Sequence, residues 1–147
     1  MTFTDFKQMQ PTATLKTESV LDYVELLCQV LRTNYQTWSI QMHRDSIAKD
    51  EGNLEYHKQR IDELSEGVGV NEFIYEKGRK YAKILHIENP GGFKSSHMFV
   101  DMITGDCYKP ASYKSPAKGI RYNLLNDNSR EEMLRRADWV GQYLYAR

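Results

Sequence analysis

The amino-acid sequence predicts an α+β fold: a long amino-terminal helical hairpin, a small antiparallel meander of three to four strands and a carboxy-terminal helix. Three observations carry that expectation. Between Val20 and Met42, apolar residues recur at threes and fours, the spacing of one helix face. From Val70 the period drops to two, the spacing of side chains on a strand. Turn clusters at Lys77-Gly78-Arg79, Asn89-Pro90-Gly91-Gly92 and Thr104-Gly105-Asp106 follow at intervals that suit hairpins.

Residues 1–16 hold Pro11 and scattered threonines with little periodicity, which predicts an extended arm with Phe3 and Phe6 as candidate anchors, on a neighbouring subunit among other places. The helical hairpin spans 17–66. Its first helix carries Val20, Val24, Leu27, Leu31, Tyr35, Trp38 and Met42 on one stripe, widened by Leu21 and Cys28, and runs to about Lys49 ahead of Gly52-Asn53. Thr17, or Ser19 with Asp22 three residues on, are its candidate caps. The second helix, Leu54–Ser65, has Leu54, His57, Ile61 and Leu64 at helical spacing among charged residues, so it is expected to cover one face of the first.

The sheet is expected over 70–109, as strands Val70–Glu76, Lys80–Glu88, His97–Met102 and a short Asp106–Lys109. Ala82, Ile84 and His86 share one face, against Tyr81, Lys83, Leu85 and Ile87. Met98 and Val100 likewise oppose Phe99 and Asp101. Gly105 supplies the positive φ of the Thr-Gly-Asp reversal, and Pro110 ends the fourth strand by removing a ladder donor. A basic loop covers 110–128. Ser129 with Glu132 then reads as a capping box opening a helix over 129–147, which carries Met133, Leu134, Ala137, Trp139, Val140 and Leu144.

A chain of 147 residues fits one domain and can bury roughly 70% of its unfolded surface without disulfides or metals. Twenty basic residues balance twenty acidic ones, so no global field favours nucleic acid or membrane, and anion affinity has to come from local clustering. Cys28 and Cys107 are too few and too distant for a secreted disulfide scaffold. With no signal-peptide pattern at the amino terminus and no run of transmembrane length, the expectation is a soluble cytoplasmic protein.

The candidate site lies after the third hairpin turn. Lys109, Lys114, Lys118 and Arg121 fall within thirteen positions, and no acidic residue lies between Lys109 and Leu125. Tyr113, Tyr122 and Asn123 sit among them. Cations on a loop that Pro110 and Pro116 restrict can converge on a phosphate-bearing ligand at a reduced ordering cost. A tyrosine then offers a stacking face, and Asn123 hydrogen bonds to a base edge. Against this stands the plainer reading, in which solvated lysines decorate a surface loop and the tyrosines complete the core.

Other chemistry is less well supported. His43, His57, His86 and His97 include no pair at zinc-ligand spacing, so no metal and no cofactor is expected. Cys107 with His97 imitates a nucleophile and base across a hairpin, but a strand thiol that faces the core is usually inert. Asp101 and Asp106 are better suited to fixing turn hydrogen bonds than to acid–base work. Binding is therefore favoured over catalysis. A second basic cluster, Lys77, Arg79, Lys80 and Lys83, interleaved with Tyr75 and Tyr81, suits a single strand of nucleic acid, or equally a guarded sheet edge. Overall neutrality argues for a small anion over a long polyanion.

The run Asp101–Leu125, DMITGDCYKPASYKSPAKGIRYNLL, resembles a pattern in small proteins of tailed phages, notably those infecting cyanobacteria. That pattern is Asp-x-x-Thr-Gly-Asp-x-Tyr-Lys-Pro-Ala-Ser, an aromatic, Lys-x-Pro-Ala-Lys-Gly-x-Arg, an aromatic and Asn-Leu. Tyr113 stands here where tryptophan is commoner, and the tail REEMLRRADWVGQYLY also looks like theirs. The resemblance covers about the second half of the chain and implies a phage source. The layout of long helix, small sheet and basic loop is also similar to the phage Thoeris anti-defence sponges, oligomers that sequester cyclic ADP-ribose-type signals, some of which also bind cyclic oligonucleotides. That similarity implies capture of a nucleotide-derived anion to counter host defence, with Arg121 on phosphate and Asn123 on base. The tyrosine-rich surface and the long apolar stripe suggest a homo-oligomer. The alternatives are a nucleic-acid-binding accessory protein and an inhibitor that uses the loop to contact a host protein.

Overall fold

The structure is a computed structural model that describes residues 16–145. It is α+β, with helix α1 (Lys16–Ala48), helix α2 (Leu54–Ser65), strands β1 (Glu72–Lys77), β2 (Tyr81–Ile87), β3 (Lys94–Asp101), β4 (Asp106–Tyr108) and β5 (Tyr122–Asn123), then helix α3 (Asp127–Arg136) and a 3₁₀ turn at Gln142–Leu144. The arm expected over 1–16 lies outside the described residues except for Lys16, which already belongs to α1. Thr17 and Ser19 therefore fall within the helix span and not at its first residue.

The apolar stripe of α1 does what its period predicts over its first half. Val20, Val24, Leu27 and Leu31 are fully buried against the sheet. Further along, Trp38 and Met42 remain 43% and 48% exposed. A helix of 33 residues is about 50 Å long, roughly twice the span of an eight-residue strand, so the stripe outruns the sheet. Trp38 meets Trp139 instead, with ring centroids 4.8 Å apart, and Tyr35 meets the same indole edge-on at 5.1 Å. Helix α2 folds back along α1, where Gln36 Nε2 donates to the Leu64 carbonyl at 2.6 Å.

The sheet is an antiparallel meander in the order β1-β2-β3-β4-β5. Phe73, Ala82, Ile84, Met98, Val100, Cys107 and Tyr122 form its inner face and join the α1 stripe in one core. The thiols belong to that core: burial pushes Cys28 up to about 12 and holds Cys107 higher still, so both pack as neutral groups. Two differences from the sequence reading stand out. Strand β3 begins at Lys94, not His97, and β5 is a two-residue strand too short to show any alternation.

Two local devices carry measurable consequences. Gly105 turns β3 into β4 at φ 79°, and a Cβ there would fall 3.0 Å from Leu125 Cγ and 3.2 Å from its amide nitrogen. Gly105→Ala is expected to cost about 1–2 kcal/mol in a urea titration, and an unchanged midpoint would contradict this. The second device is His97, 6% exposed, with Nε2 2.8 Å from the Tyr143 hydroxyl and its ring edge-on to Phe73. Burial, aided by neighbouring His86, pushes its imidazole from 6.5 down to about 3. The folded state thus holds it neutral, and unfolding lets it take a proton below pH 6.5. Stability falls as pH drops from 6.5 toward 3, by at most about 1.4 kcal/mol per pH unit. Between pH 6.5 and 4.5 the wild type should lose about 2 kcal/mol more than His97→Gln, and parallel pH profiles would refute that.

The carboxy-terminal helix is shorter than its apolar period suggests. Asn126 caps it, its side-chain oxygen accepting from the Ser129 amide at 2.8 Å. The Ser129 hydroxyl instead accepts from the Asn123 amide, so the Ser129–Glu132 capping box is not formed. The helix stops at Arg136 because later amides find other partners. Trp139 N donates to Asn34 Oδ1 at 2.9 Å, and the Asp138 carboxylate accepts from Gly141, Gln142 and Tyr143. Gly141, at φ 92°, lets the chain swing Tyr143 and Leu144 into the core.

Candidate functional site

The outer face of the sheet, away from α1, is built by the other half of the strand alternation. Register sets Lys83 opposite Phe99 and Phe99 opposite Tyr108, with Tyr81 packed edge-on to both rings at 6.1 and 6.0 Å. Phe99 is only 4% exposed, although a half-buried strand would leave it open. The reason is the loop after β4. It is a small folded hairpin, bridged from Pro110 to Pro116 and tied by Ala111 N to Ser115 O at 2.9 Å and Ala117 N to Lys109 O at 2.8 Å. It lies back over the outer face, where the Tyr113 carbonyl accepts from Lys83 Nζ at 2.9 Å and from Ser96 Oγ at 2.6 Å.

That closure separates the cations of the loop. Lys109 sits over the Tyr145 ring at 4.5 Å, and Lys118 is exposed with no side-chain partner among the described residues. Arg121 lines a different groove of about 510 Å³ beside Asn123, Asn126 and Ser129. The Lys109–Arg121 cradle is therefore not assembled. Two of the three uncharged site residues, Tyr122 and Asn123, have structural duties. Tyr122 is 3% exposed and donates its hydroxyl to the Tyr143 carbonyl, which leaves no ring face for a base. Asn123 spends its amide on the turn: Nδ2 donates to Thr104 O and Asp106 Oδ1, and Oδ1 accepts from the amides of Leu125 and Asn126. Asp101 works similarly, accepting from the amides of Ile103 and Thr104. Burial acts to raise its pKa, but those amides and Lys80 outweigh it and hold the carboxyl below the usual range.

What the loop does bring together is Lys114 and the first hairpin. Lys77, Arg79, Lys80, Lys83 and Lys114 line one hollow of about 400 Å³, with Tyr81 and Phe99 in its wall and Glu76 the one acid in the lining. Lys83 is fixed there, its Nζ 3.9 Å from the Tyr113 ring centroid and 5.9 Å from that of Phe99. Lys80 leans on Tyr81 at 5.4 Å and lies 4.0 Å from Asp101. Lys77, Arg79 and Lys114 are exposed and carry no side-chain partner among the described residues, so their donors face the hollow and solvent unspent. Five cations around two rings can receive a phosphate and a flat group together. The 510 Å³ groove is larger but offers one cation among polar groups already committed.

The sequence displayed both halves of this hollow as separate clusters. Their meeting depends on the Pro110–Pro116 fold-back over β2 and β3, for which the two prolines were the only signal. The histidines show no comparable gathering. His43 and His57 pair at 2.8 Å between α1 and α2, while His86 stacks on the Phe73 ring and His97 meets it edge-on. Among the described residues no group of three or more His, Cys, Asp or Glu is placed to hold a metal ion. No helix there is long and apolar enough to cross a membrane.

Fold and hollow together define a small α+β protein with a helix-backed antiparallel meander and a cationic pocket on its outer face. The chain belongs to a family of unknown function, DUF7717, whose pattern matches residues 3–146. No curated protein and no solved structure matches it.

Proposed function

We propose that this protein binds, and does not turn over, a small nucleotide-derived anion, held in the hollow between the β1–β2 hairpin and the Lys114 loop. One observation carries the reading. Cations from two segments more than thirty residues apart line a single hollow with aromatic walls, and three of them have no competing partner among the described residues. Charge-assisted hydrogen bonds to phosphate are the strongest use of such donors. In a phage setting, this binding would withdraw a nucleotide signal from host defence. The exposed Trp38 and Met42 at the end of the α1 stripe support self-association, which would raise the number of ligands held per particle.

A single strand of nucleic acid is the competing occupant, favoured by the exposed Tyr113 ring beside the cations. Salt separates the two. Binding of ADP to the intact chain, followed by calorimetry from 50 to 200 mM salt, should weaken by about tenfold or less, because few phosphates are neutralised. A loss approaching a thousandfold for an oligonucleotide, with no ADP binding at any salt, would replace this reading by the nucleic-acid one.

A further inference from the structure

A second hollow adjoins the first, and its chemistry differs. It measures about 320 Å³, with Phe93, Pro110 and Tyr113 as apolar walls, and Lys94, Ser96 and Ser112 also in its lining. Tyr113 is the seam between the two. Its carbonyl takes one hydrogen bond from Lys83 of the cationic hollow and one from Ser96 of this one.

Phe93 is the telling residue. It is 67% exposed, with its ring beside the hollow. Its backbone is nevertheless held, the Glu88 amide donating to the Phe93 carbonyl at 2.9 Å and the Gly92 amide to the Glu88 carbonyl at 2.9 Å. The turn thus presents the ring outward from a fixed base. Across the hollow, Tyr113 is 45% exposed and anchored through its carbonyl. Both rings line the hollow and make no ring contact with each other. The Ser96 and Ser112 hydroxyls are engaged, Ser112 accepting from the amides of Lys114 and Ser115, so the two rings are what the hollow offers a flat group.

Resting on the anion-binding reading above, we infer that the site has two compartments and takes a two-part molecule. The phosphates of a nucleoside diphosphate, or of a longer nucleotide, occupy the lysine- and arginine-lined hollow. The base lies between Phe93 and Tyr113. A free inorganic anion fills only half of such a site, and a nucleoside without phosphate fills only the other half.

Calorimetry on the full chain with ADP, UDP, adenosine and inorganic pyrophosphate tests this, with Phe93→Ala alongside wild type. Phe93 is largely exposed, so its truncation leaves the fold intact, which circular dichroism checks. At least one of the two nucleotides should bind about tenfold or more tightly than pyrophosphate, the increment one stacked base contributes. Phe93→Ala should weaken that nucleotide by about tenfold and leave pyrophosphate unchanged. If pyrophosphate and both nucleotides bind alike and Phe93→Ala moves none of them, the base compartment is wrong while the anion site stands. If wild type binds neither pyrophosphate nor either nucleotide, the anion site itself is wrong and the two-part inference falls with it.

Discussion

Arg130→Ala is expected to lower the unfolding free energy by about 3 kcal/mol, the sum of a buried cavity and a lost charge-assisted hydrogen bond. Arg130 is wholly buried although charged. Its Nη1 donates to the Leu124 carbonyl at 2.7 Å and its Nη2 to Asp127 Oδ1 at 2.6 Å, while the guanidinium lies 4.5 Å from the Tyr23 ring centroid. One side chain thus pins the residue after β5, the first turn of α3 and the early part of α1. The Asp127 pair adds little by itself, since that carboxylate is 61% exposed and screened by water. Most of the effect comes from the Leu124 contact and the packing on Tyr23. For a chain of this size the midpoint should fall by roughly 6–12 °C in a thermal melt. Arg130→Met, which restores volume without the donors, should recover part of the loss. A midpoint within about 2 °C of wild type for the alanine variant would show that Arg130 does not join these elements.

The other large effect concerns the hollow. Lys77→Glu with Lys114→Glu places a negative charge on each of its two walls. Each lost charge-assisted contact is worth about tenfold in affinity, so the double variant should bind ADP at least roughly a hundredfold more weakly. Both side chains are exposed and unpaired among the described residues, so the thermal midpoint should stay close to wild type. The matching change at Lys118→Glu should leave ADP affinity within about twofold, because that lysine lines none of the hollows described. Equal losses from Lys118→Glu and the double variant would mean that net charge, not placement, governs binding.

Most of the fold was legible because long elements announce themselves. The α1 stripe needs only its period, and α2 needs only its period and the glycines after it. What escaped detection was decided by single hydrogen bonds at a distance. Helix α3 ends at Arg136 because Asn34, more than a hundred residues earlier, takes the Trp139 amide, and no local pattern encodes that. Ser129 looked like a cap, yet it serves β5 while Asn126 does the capping. The loop cations were regrouped for a similar reason. Spacing along the loop implied that Lys109, Lys114, Lys118 and Arg121 faced one another. A loop that closes on itself instead sends neighbours in sequence to different faces, and Lys114 joined a cluster some thirty residues upstream. Asn123 and Tyr122 were misjudged for a general reason: amides and phenol hydroxyls beside a tight turn are as useful to the backbone as to a ligand.

A nitrogen-15-labelled sample titrated with ADP and followed by amide chemical shifts measures the claim directly. Saturable shifts should centre on residues 77–83, 99 and 112–114, and the amides of 118–126 should stay still. Shifts centred on the Ile120–Ser129 groove, or none at millimolar ADP, would contradict an anion site between the first hairpin and the folded loop.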